Sequence, residues 1–302
     1  MSLIFDIKRF AINDGPGIRV TIFMKGCPLR CVWCHNPEGL EPVKQKMYIK
    51  KKCIGCKSCV EVCPQNALML TPDGIKPTSN QCVLCGKCAD ECPTLALEMA
   101  GKEYDMTELM NIVEKERLVI DESGGGVTIC GGEPLMHPDY LIEILSELGK
   151  RGFHRTVDTT LFASEATIMK VLPHTDLFLV DMKHFDNEAH KKYTGVGNEQ
   201  ILKNIKTIAE HGANFWIRIP LIEGVNADEE NICKCADFIA SLPKHPEIVN
   251  ILPYHDIGIS KHNRLGTSYN PDEIIMDTPS EEWQEHCAEI IRARGLDCKI
   301  GG

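Results

Sequence analysis

Three cysteines lie close together near the start of the chain, in the stretch KGCPLRCVWCHNPEG at residues 25–39. Cys27, Cys31 and Cys34 have the spacing C-x3-C-x2-C, and no further cysteine follows until Cys53. A sulfur-ligated metal or iron–sulfur site normally has four protein ligands. In catalytic metal sites, the coordination position that lacks a protein ligand is where substrate binds. The triplet therefore predicts a metal centre whose open position is an active site.

A second group of cysteines forms an internal repeat over residues 53–93. The segments CIGCKSCVEVCPQNAL and CVLCGKCADECPTLAL are offset by 29 residues, and each reads C-x2-C-x2-C-x3-C-P. This is the pattern of bacterial two-cluster ferredoxins, in which the fourth cysteine of each run binds the other cluster. Two zinc sites are the alternative, because C-x2-C pairs also build zinc ribbons. The third cysteine, the C-P ending and the repeat itself favour two [4Fe–4S] clusters.

The ferredoxin rule distributes eleven cysteines over three clusters. The first cluster has the triplet alone, the second has Cys53, Cys56, Cys59 and Cys92, and the third has Cys63, Cys82, Cys85 and Cys88. Three cubane clusters contain about twelve irons, so one iron of the triplet's cluster has no protein ligand. That iron can bind a chelating small molecule directly.

Strand-like and helix-like segments alternate outside the cysteine repeat. Short apolar, β-branched runs occur at 18–24, 126–130, 154–160, 177–183, 214–222 and 248–255. Amphipathic stretches lie near 107–117, 138–151, 164–172, 198–212, 228–241 and 280–294. Apolar strands alternating with helices are typical of a parallel sheet with right-handed crossovers. This pattern predicts an α/β fold.

Six such units are fewer than the eight of a closed TIM barrel, so we expect a partial (β/α)6 TIM-like barrel. The barrel would comprise residues 1–46 and 100–302, and a ferredoxin-like two-cluster domain at 47–99 would be inserted after the first strand and its loop. Active sites of parallel α/β sheets lie at the carboxyl ends of the strands. We expect the polar motifs at those ends to form the site.

Composition excludes several classes of protein. The 302 residues carry a formal charge of -10, with a pI near 5.6, which argues against nucleic acid as the main partner. No apolar run approaches the roughly 20 residues that span a bilayer, and Asp6, Lys8 and Arg9 interrupt what would be the core of a signal peptide. Secreted disulfide scaffolds also have many cysteines, but they are short chains. We expect a cytoplasmic, monomeric protein.

The motifs together resemble a known family. C-x3-C-x2-C after a first strand is similar to the radical S-adenosylmethionine (SAM) superfamily, and a set of motifs in the same order resembles the glycyl-radical-enzyme activating enzymes, the group of pyruvate formate-lyase activase. These motifs are DGPGIR (14–19), GCPLRCVWCHNPE (26–38), SGGGVTICGGEP (123–134), VDTT (157–160), LVDMKHFD (179–186), WIRIPLIEGVN (216–226) and ILPYH (251–255). The two-cluster repeat places the chain with the subgroup that carries two extra clusters.

The resemblance implies a SAM-dependent oxidoreductase. In this family the open iron binds the amino and carboxylate groups of SAM. One electron from the cluster cleaves SAM to methionine and a 5′-deoxyadenosyl radical, which removes a hydrogen atom from a glycine of the partner enzyme. The resemblance also implies flavodoxin or ferredoxin as the electron donor. A radical SAM enzyme that acts on a small molecule is the alternative, and a simple electron carrier is a third reading that a three-cysteine cluster disfavours.

The resemblance also implies which residues bind SAM. The expected contacts are Trp33, the backbone of Cys34 and His35, Gly131, Gly132 and Glu133, the trio Asp158, Asp181 and Lys183, and His255. A monovalent-cation site is implied at Asp158, Thr159, Asp181 and the backbone of Met182. Ordinary structural roles stand beside these, such as core packing for Trp33, helix capping for the aspartates and a loop position for each histidine.

Three further residues are candidates for catalysis or for contact with the partner. Arg218 should point into the barrel, because it alternates with apolar neighbours on a strand. A buried arginine must be paired, and the carboxylate of SAM, the substrate backbone and a structural ion pair are its candidate mates. The resemblance implies that Asp14 and Arg19 meet the partner's glycine loop; ordinary turn chemistry is the alternative.

Overall fold

The structure is a computed structural model and describes residues 2–301. In chain order the strands are β1 (Ile4–Ala11), β2 (Arg19–Met24), β3 (Gln45–Tyr48), β4 (Leu68–Thr71), β5 (Gly74–Pro77), β6 (Leu97–Ala100), β7 (Gly126–Gly131), β8 (Arg155–Thr159), β9 (Leu177–Asp181), β10 (Phe215–Leu221), β11 (Ile248–Pro253) and β12 (Cys298–Ile300). The helices are α1 (Ser58–Glu61), α2 (Lys87–Asp90), α3 (Met106–Glu114), α4 (Arg117–Ser123), α5 (Pro138–Lys150), α6 (Glu165–Val171), α7 (Asn187–Thr194), α8 (Glu199–Glu210), α9 (Glu229–Ala240), α10 (Gly258–Leu265) and α11 (Glu281–Arg292).

One eight-stranded sheet forms the centre of the fold, in the order β1-β2-β7-β8-β9-β10-β11-β12. From β2 to β12 every neighbouring pair is parallel, whereas β1 pairs antiparallel with β2. The six predicted strands correspond to β2, β7, β8, β9, β10 and β11, which confirms the α/β class and the parallel sheet. The edge strands β1 and β12 were not predicted, because β1 mixes charged and apolar residues and β12 has three residues.

The parallel strands are buried because helices cover them. In α5 the side chains of Leu141, Ile144, Leu145 and Leu148 recur every three or four positions and are fully buried. They join the core cluster that contains Val127 and Ile129 of β7. Each such side chain contributes roughly 1.5–3 kcal/mol when it leaves water. This packing fixes the strands, and the strands fix the loops that follow them.

The cysteine repeat at 45–100 is a structural repeat as well. The succession β3, α1, β4 recurs 29 residues later as β5, α2, β6, and the residue before each helix, Lys57 or Gly86, has left-handed backbone. Each two-stranded sheet contains one strand from each copy, since β3 pairs with β6 and β4 pairs with β5. Because β3 and β6 pair, the first and last residues of this segment lie next to each other. Its paired ends lie at Gln45 and Ala100, close to the predicted 47 and 99.

Two helices near the site were not predicted, α7 and α10. Both are eight residues long and mostly polar, so neither contains enough apolar residues to mark a helix in the sequence. Asp186 caps α7, because its side chain accepts a hydrogen bond from the backbone N–H of Ala189 at 2.8 Å. Over residues 2–301, every helix is too short or too polar to span a membrane.

Candidate active site

A cavity of about 530 Å³ lies where the carboxyl ends of the parallel strands meet. The cysteine triplet lines one side, and Asp181, Lys183 and Arg218 line another. The loop before β2 contributes Asp14, and Tyr254 and His255 follow β11. Residues separated by more than 200 positions in the sequence therefore face one space, as expected for the strand ends of a parallel sheet.

The cysteine loop is held in place by backbone hydrogen bonds. The N–H of Cys27 donates to Leu40 O at 3.1 Å, and the N–H of Cys34 donates to Cys31 O at 3.0 Å. The N–H of Arg30 donates to Thr194 O, at the end of α7, at 2.7 Å. The loop is thus fixed by its own turn and by α7, which keeps the three thiols on the cavity side.

The glycines after β7 allow this strand to pack directly on the cysteine loop. A Cβ atom on Gly132 would lie 2.1 Å from Gly26 O and 2.5 Å from Gly39 O. The N–H of Gly132 donates to Met24 O at 2.8 Å, and the N–H of Glu133 donates to Gly26 O at 2.7 Å. Any side chain at Gly132 would therefore push the end of β7 away from the loop that carries the cysteines.

Glu133 follows Gly131 and Gly132 at the end of β7. Its carboxylate is fully buried and accepts hydrogen bonds from Thr159 Oγ1 at 2.6 Å, Thr160 Oγ1 at 2.6 Å, Thr160 N at 2.8 Å and Leu135 N at 3.1 Å. Burial raises the pKa of this carboxyl group, although the four hydrogen bonds favour the charged form. The Glu133 carboxylate is therefore bonded within the protein, and SAM binding at Glu133 stays a prediction. The carboxylate joins the ends of β7 and β8.

Four charged side chains form a connected network at the ends of β8, β9 and β10. Arg218 Nη2 donates to both oxygens of Asp158, at 2.7 and 2.8 Å, and Arg218 Nε donates to Asp181 Oδ1 at 3.1 Å. Lys183 Nζ donates to Asp181 Oδ2 at 2.9 Å. Arg218 and Asp181 are paired in register on adjacent strands. Of the candidate mates for Arg218, the structure contains the ion pair.

The network balances two cations against two carboxylates. Burial opposes the ionised form of Asp181, but Lys183 and Arg218 outweigh it and lower the pKa of this carboxyl group. Burial also disfavours the charge on Lys183, yet the carboxylate of Asp181 raises its pKa. For Asp158, burial is the largest effect and raises the pKa, whereas the attraction of Arg218 opposes it and favours the carboxylate. A polar, charge-balanced wall therefore faces the cavity.

The residues expected to bind a cation have other partners in this arrangement. Arg218 contacts both Asp158 and Asp181, and the hydroxyl of Thr159 donates to Glu133. Met182 has a buried side chain in the core, and its N–H donates to Arg218 O at 2.8 Å. These four residues do not fit a cation unless Arg218 moves.

Aromatic side chains surround the mouth of the cavity. The rings of His35 and His255 stack with centroids 4.1 Å apart, and His35 Nε2 lies 2.9 Å from His255 O. Burial, and next the neighbouring His255, lower the pKa of His35 to about 4, so the ring is neutral. Trp33 is only 5% exposed and packs with Ile222 and Val225 while it lines the cavity. Flat rings and apolar side chains thus form this side.

The glycine-rich loop before β2 places its two candidate residues differently. Asp14 lines the cavity, and its Oδ2 accepts a hydrogen bond from Thr21 Oγ1 at 2.7 Å. Arg19 is fully buried and donates to Thr128 Oγ1 at 2.6 Å and to Thr156 Oγ1 at 2.8 Å. Burial is the main reason that the pKa of Arg19 falls to about 10. Arg19 holds the loop from inside, and a direct contact with a partner does not fit its position.

Helix α10 adds contacts that the sequence did not reveal. Lys261 Nζ donates to Asn36 Oδ1 at 2.8 Å, beside the cysteine loop. A Cβ atom on Gly258 would lie 2.6 Å from Cys34 O, so this helix packs directly beneath a cysteine of the triplet. Tyr254 and Tyr269 share a hydrogen bond between their hydroxyls at 2.7 Å. Tyr254 lies in the quoted motif ILPYH, which is the only sequence signal for these residues.

The cysteines of the repeat line two further cavities. One is lined by Cys53, Cys56, Cys59 and Cys92, and the other by Cys63, Cys82, Cys85 and Cys88. Each cavity takes three cysteines from one copy of the repeat and the fourth cysteine from the other copy. The exchange follows from the strand pairing, because β3 with β6 and β4 with β5 bring the two copies side by side.

The triplet's chemistry fits an iron–sulfur cluster. Burial raises the pKa of the Cys27 and Cys34 thiols to about 12, and buried thiols of this kind lose their protons when a metal takes them as ligands. In the described part of the chain, no three His, Cys, Asp or Glu side chains are grouped to hold a single metal ion. A cubane attaches each thiolate to its own iron, so its ligands need not converge on one point.

Comparisons with known proteins give the family. Residues 21–236 match the Radical SAM superfamily. The chain is 42% identical to the trans-4-hydroxy-L-proline dehydratase activating enzyme of Clostridioides difficile over 303 residues, which cover 99% of each protein. It is 37% identical to the indoleacetate decarboxylase activating enzyme of Tractidigestivibacter scatoligenes over 310 residues, which cover 99% of this chain and 97% of that protein.

A solved structure agrees with these relatives. A domain of pyruvate-formate lyase-activating enzyme from Bacteroides vulgatus covers 59% of this chain and 99% of its own length, with 50% identity and a TM-score of 0.51. The matched residues 21–236 include the cysteine triplet and, among the residues that line the strand-end cavity, Asp181, Lys183 and Arg218. The chain belongs to the radical SAM superfamily and, within it, to the activating enzymes of glycyl radical enzymes.

Proposed function

We propose that three [4Fe–4S] clusters serve the activity of this family in this chain, which is the activation of a partner glycyl radical enzyme. Cys27, Cys31 and Cys34 would hold the cluster that binds SAM. When bound, this cluster and SAM supply the 5′-deoxyadenosyl radical that takes a hydrogen atom from the partner's glycine. The observation that carries the proposal is that three half-buried cysteines line one cavity with Lys183, Asp181 and Arg218.

The side chains of the cavity would bind and orient SAM. The charged wall of Lys183, Asp181 and Arg218 suits the zwitterionic methionine end, because each sign of charge has an opposite charge close by. The stacked rings of His35 and His255 suit the nucleoside. Backbone groups at Gly131 and Gly132 line the cavity between these two parts. Trp33 and Ile222 would exclude water from the reacting atoms.

Asp14 is our candidate for contact with the partner. It lies on the cavity wall and, with Asp158 and Asp181, its charge offsets the effect of burial and raises the pKa of Arg218. A glycine segment of the partner that enters the cavity beside β1 would meet Asp14 before it meets Arg218. An acidic group near a peptide backbone can accept its N–H hydrogen bonds. Arg19 would act through the loop that it holds.

The segment 45–100 would be a ferredoxin-like domain with two clusters. Support comes from the two four-cysteine cavities, which have the ligand sets expected from the ferredoxin rule. Small cavities lined by four cysteines suit cubanes, whose irons each take one thiolate. The domain would then relay electrons to the SAM cluster from a flavodoxin or a ferredoxin.

The surface beside Cys53 suits such an acidic donor. Lys50, Lys51 and Lys52 form an exposed turn immediately before Cys53, and the exposed Lys57 follows Cys56. These lysines are a basic patch on a protein whose net charge is -10. Complementary charge accelerates the encounter of electron-transfer partners.

We propose a monomer as the active form. A monovalent cation could bind at Asp158 and Asp181 only after both carboxylates release Arg218.

Iron content tests the cluster proposal. Anaerobically reconstituted protein should bind about twelve irons. The variant with Cys27, Cys31 and Cys34 changed to Ala should keep about eight and lose SAM cleavage. The matched variant with Cys53, Cys56, Cys59 and Cys92 changed to Ala should also keep about eight but still cleave SAM with a small reductant. SAM cleavage by the first variant would refute the assignment of the active cluster.

A second experiment tests the relay. The variant Cys56→Ala with Cys85→Ala removes one ligand from each four-cysteine set. It should lose activation with flavodoxin as donor and regain part of it with a small diffusible reductant, as measured by the glycyl radical signal of the partner in electron paramagnetic resonance. Equal loss with both donors would indicate a folding or docking role. Full activity with flavodoxin would exclude the relay.

A further inference from the structure

The two four-cysteine sets are not equivalent, although they arise from a sequence repeat. We call the set of Cys53, Cys56, Cys59 and Cys92 the first set, and the set of Cys63, Cys82, Cys85 and Cys88 the second set. In both, the fourth cysteine of a run accepts a backbone hydrogen bond: Ala96 N donates to Cys92 Sγ at 3.2 Å, and Ala67 N donates to Cys63 Sγ at 3.3 Å. The sets differ in the side chains around the sulfurs.

Tyr48 contacts the first set. It lines the same cavity as the four cysteines, and together with Cys53 it packs against the small core cluster of Cys59, Leu68, Ile75 and Leu97. The hydroxyl oxygen accepts a hydrogen bond from the N–H of Ile75 at 3.1 Å. Because the oxygen is the acceptor in that hydrogen bond, the hydroxyl's own hydrogen is available for donation to a sulfur. A Cβ atom on Gly74 would lie 2.2 Å from this oxygen, so the glycine leaves the space that the hydroxyl occupies.

Two more hydroxyls lie beside the first set. Ser58 Oγ donates to Cys56 Sγ at 3.4 Å. Thr94 Oγ1 lies 3.8 Å from Cys92 Sγ and becomes the donor when that sulfur is a thiolate. Three of the four sulfurs in the first set therefore have a hydroxyl neighbour, and each hydroxyl comes from a different element of the segment.

The positions of the second set that correspond to these three residues have no hydroxyl. At an offset of 29 residues, Pro77 corresponds to Tyr48, Lys87 to Ser58 and Gln65 to Thr94. None of these three side chains has a hydroxyl to donate. The backbone is repeated, whereas the hydroxyl donors are not.

We propose that Tyr48 tunes the cluster of the first set: its hydroxyl donates to the sulfur of Cys53 and raises that cluster's reduction potential. Reduction adds negative charge to a cluster, and a donor to a ligand sulfur stabilises the added charge. Ser58 and Thr94 act in the same direction. The proposal rests on the clusters of the proposed function and names a residue that controls one of them.

Solvent exposure also raises a cluster's reduction potential, but here it favours the second set over the first. Cys82 and Cys85 of the second set are exposed, whereas Cys56 is the exposed member of the first set. Exposure also favours the reduced, more negative cluster. The order of the two potentials therefore depends on both effects, and the test must remove the hydroxyl while it leaves exposure unchanged. Tyr48→Phe does this, because the ring that packs against the cysteines remains.

The experiment is a redox titration of the full-length holoenzyme followed by electron paramagnetic resonance. The signal of the SAM cluster is identified by its change on addition of SAM. We call the two clusters of the segment 45–100 the accessory clusters. In Tyr48→Phe, the midpoint reduction potential of one accessory cluster should become more negative by about 59 mV, which is a tenfold change in the equilibrium constant for a one-electron reduction. The other accessory cluster should keep its midpoint. Ser58→Ala should give a smaller shift of the same cluster in the same direction.

A matched control is Thr78→Val, which removes a hydroxyl of the same segment that donates to Asn66 O at 2.9 Å instead of to a sulfur. Neither midpoint should move in this variant. Unchanged midpoints in both Tyr48→Phe and Ser58→Ala, at full iron content, would overturn the inference and leave the three clusters standing. An iron content of about four in the wild-type protein would instead refute the proposed clusters themselves.

Discussion

The charge network around Arg218 gives the sharpest quantitative prediction. Arg218→Met keeps most of the side-chain volume and removes the cation that holds Asp158 at 2.7 and 2.8 Å and Asp181 at 3.1 Å. Asp181 keeps Lys183 as a partner, but Asp158 loses the one cation to which it is bonded in the described structure. Breaking a buried pair by removing one partner costs about 3–5 kcal/mol. We expect a loss of that size in the free energy of unfolding.

A double variant isolates the charge. Adding Asp158→Asn to Arg218→Met removes the stranded carboxylate, so most of the lost stability should return. The assay is urea denaturation of the anaerobic protein without metal, followed by circular dichroism. Arg9→Met is the matched control, because Arg9 is half exposed and lies 3.6 Å from Glu116. Removing a surface pair of this kind should cost less than about 1 kcal/mol.

Two results would refute this reasoning. A loss below about 1 kcal/mol in Arg218→Met would show that water compensates Asp158, so that the pair behaves like a surface pair. A double variant no more stable than Arg218→Met would show that the loss comes from packing and not from an uncompensated carboxylate. A loss of about 3 kcal/mol or more would be a large share of the 5–15 kcal/mol that stabilises a typical protein.

Three further predictions concern Lys183, Gly132 and His190. Lys183→Ala should weaken SAM binding at unchanged iron content, because Lys183 contacts Asp181 and not a cysteine backbone; equal affinity by calorimetry would contradict its role. Gly132→Ala should lower the iron content of the triplet's cluster, since its Cβ would lie 2.1 Å from Gly26 O. Gly212→Ala should not, because its Cβ would meet open space and only the left-handed backbone at φ 71° would be strained. Burial lowers the pKa of His190 below 6.5, so the native state binds fewer protons than the unfolded state and stability falls as the pH drops through 6.5. The slope of unfolding free energy against pH should be smaller in His190→Gln, and an identical slope would exclude this histidine.

The sequence determined the features that depend on short spacing and on periodicity. Cysteines three or four positions apart can serve one cluster whatever the rest of the chain does, so the triplet was found directly. The repeat also predicted that each set takes its fourth cysteine from the other copy, and the two cavities contain those sets. The strands β2 and β7 to β11 were predicted because strands covered on both faces are continuously apolar.

Only the tertiary structure decided what the polar residues contact. Glu133 and Arg19 belong to motifs that suggest ligand or partner binding, but both are buried and bonded within the protein. The mate of Arg218 lies 60 positions away in Asp158, and α10 reaches the cysteine loop from more than 200 positions away. Such contacts depend on which face of each strand turns toward which neighbour. Local spacing does not encode that, because it is set by the register of the sheet and by the packing of the whole core.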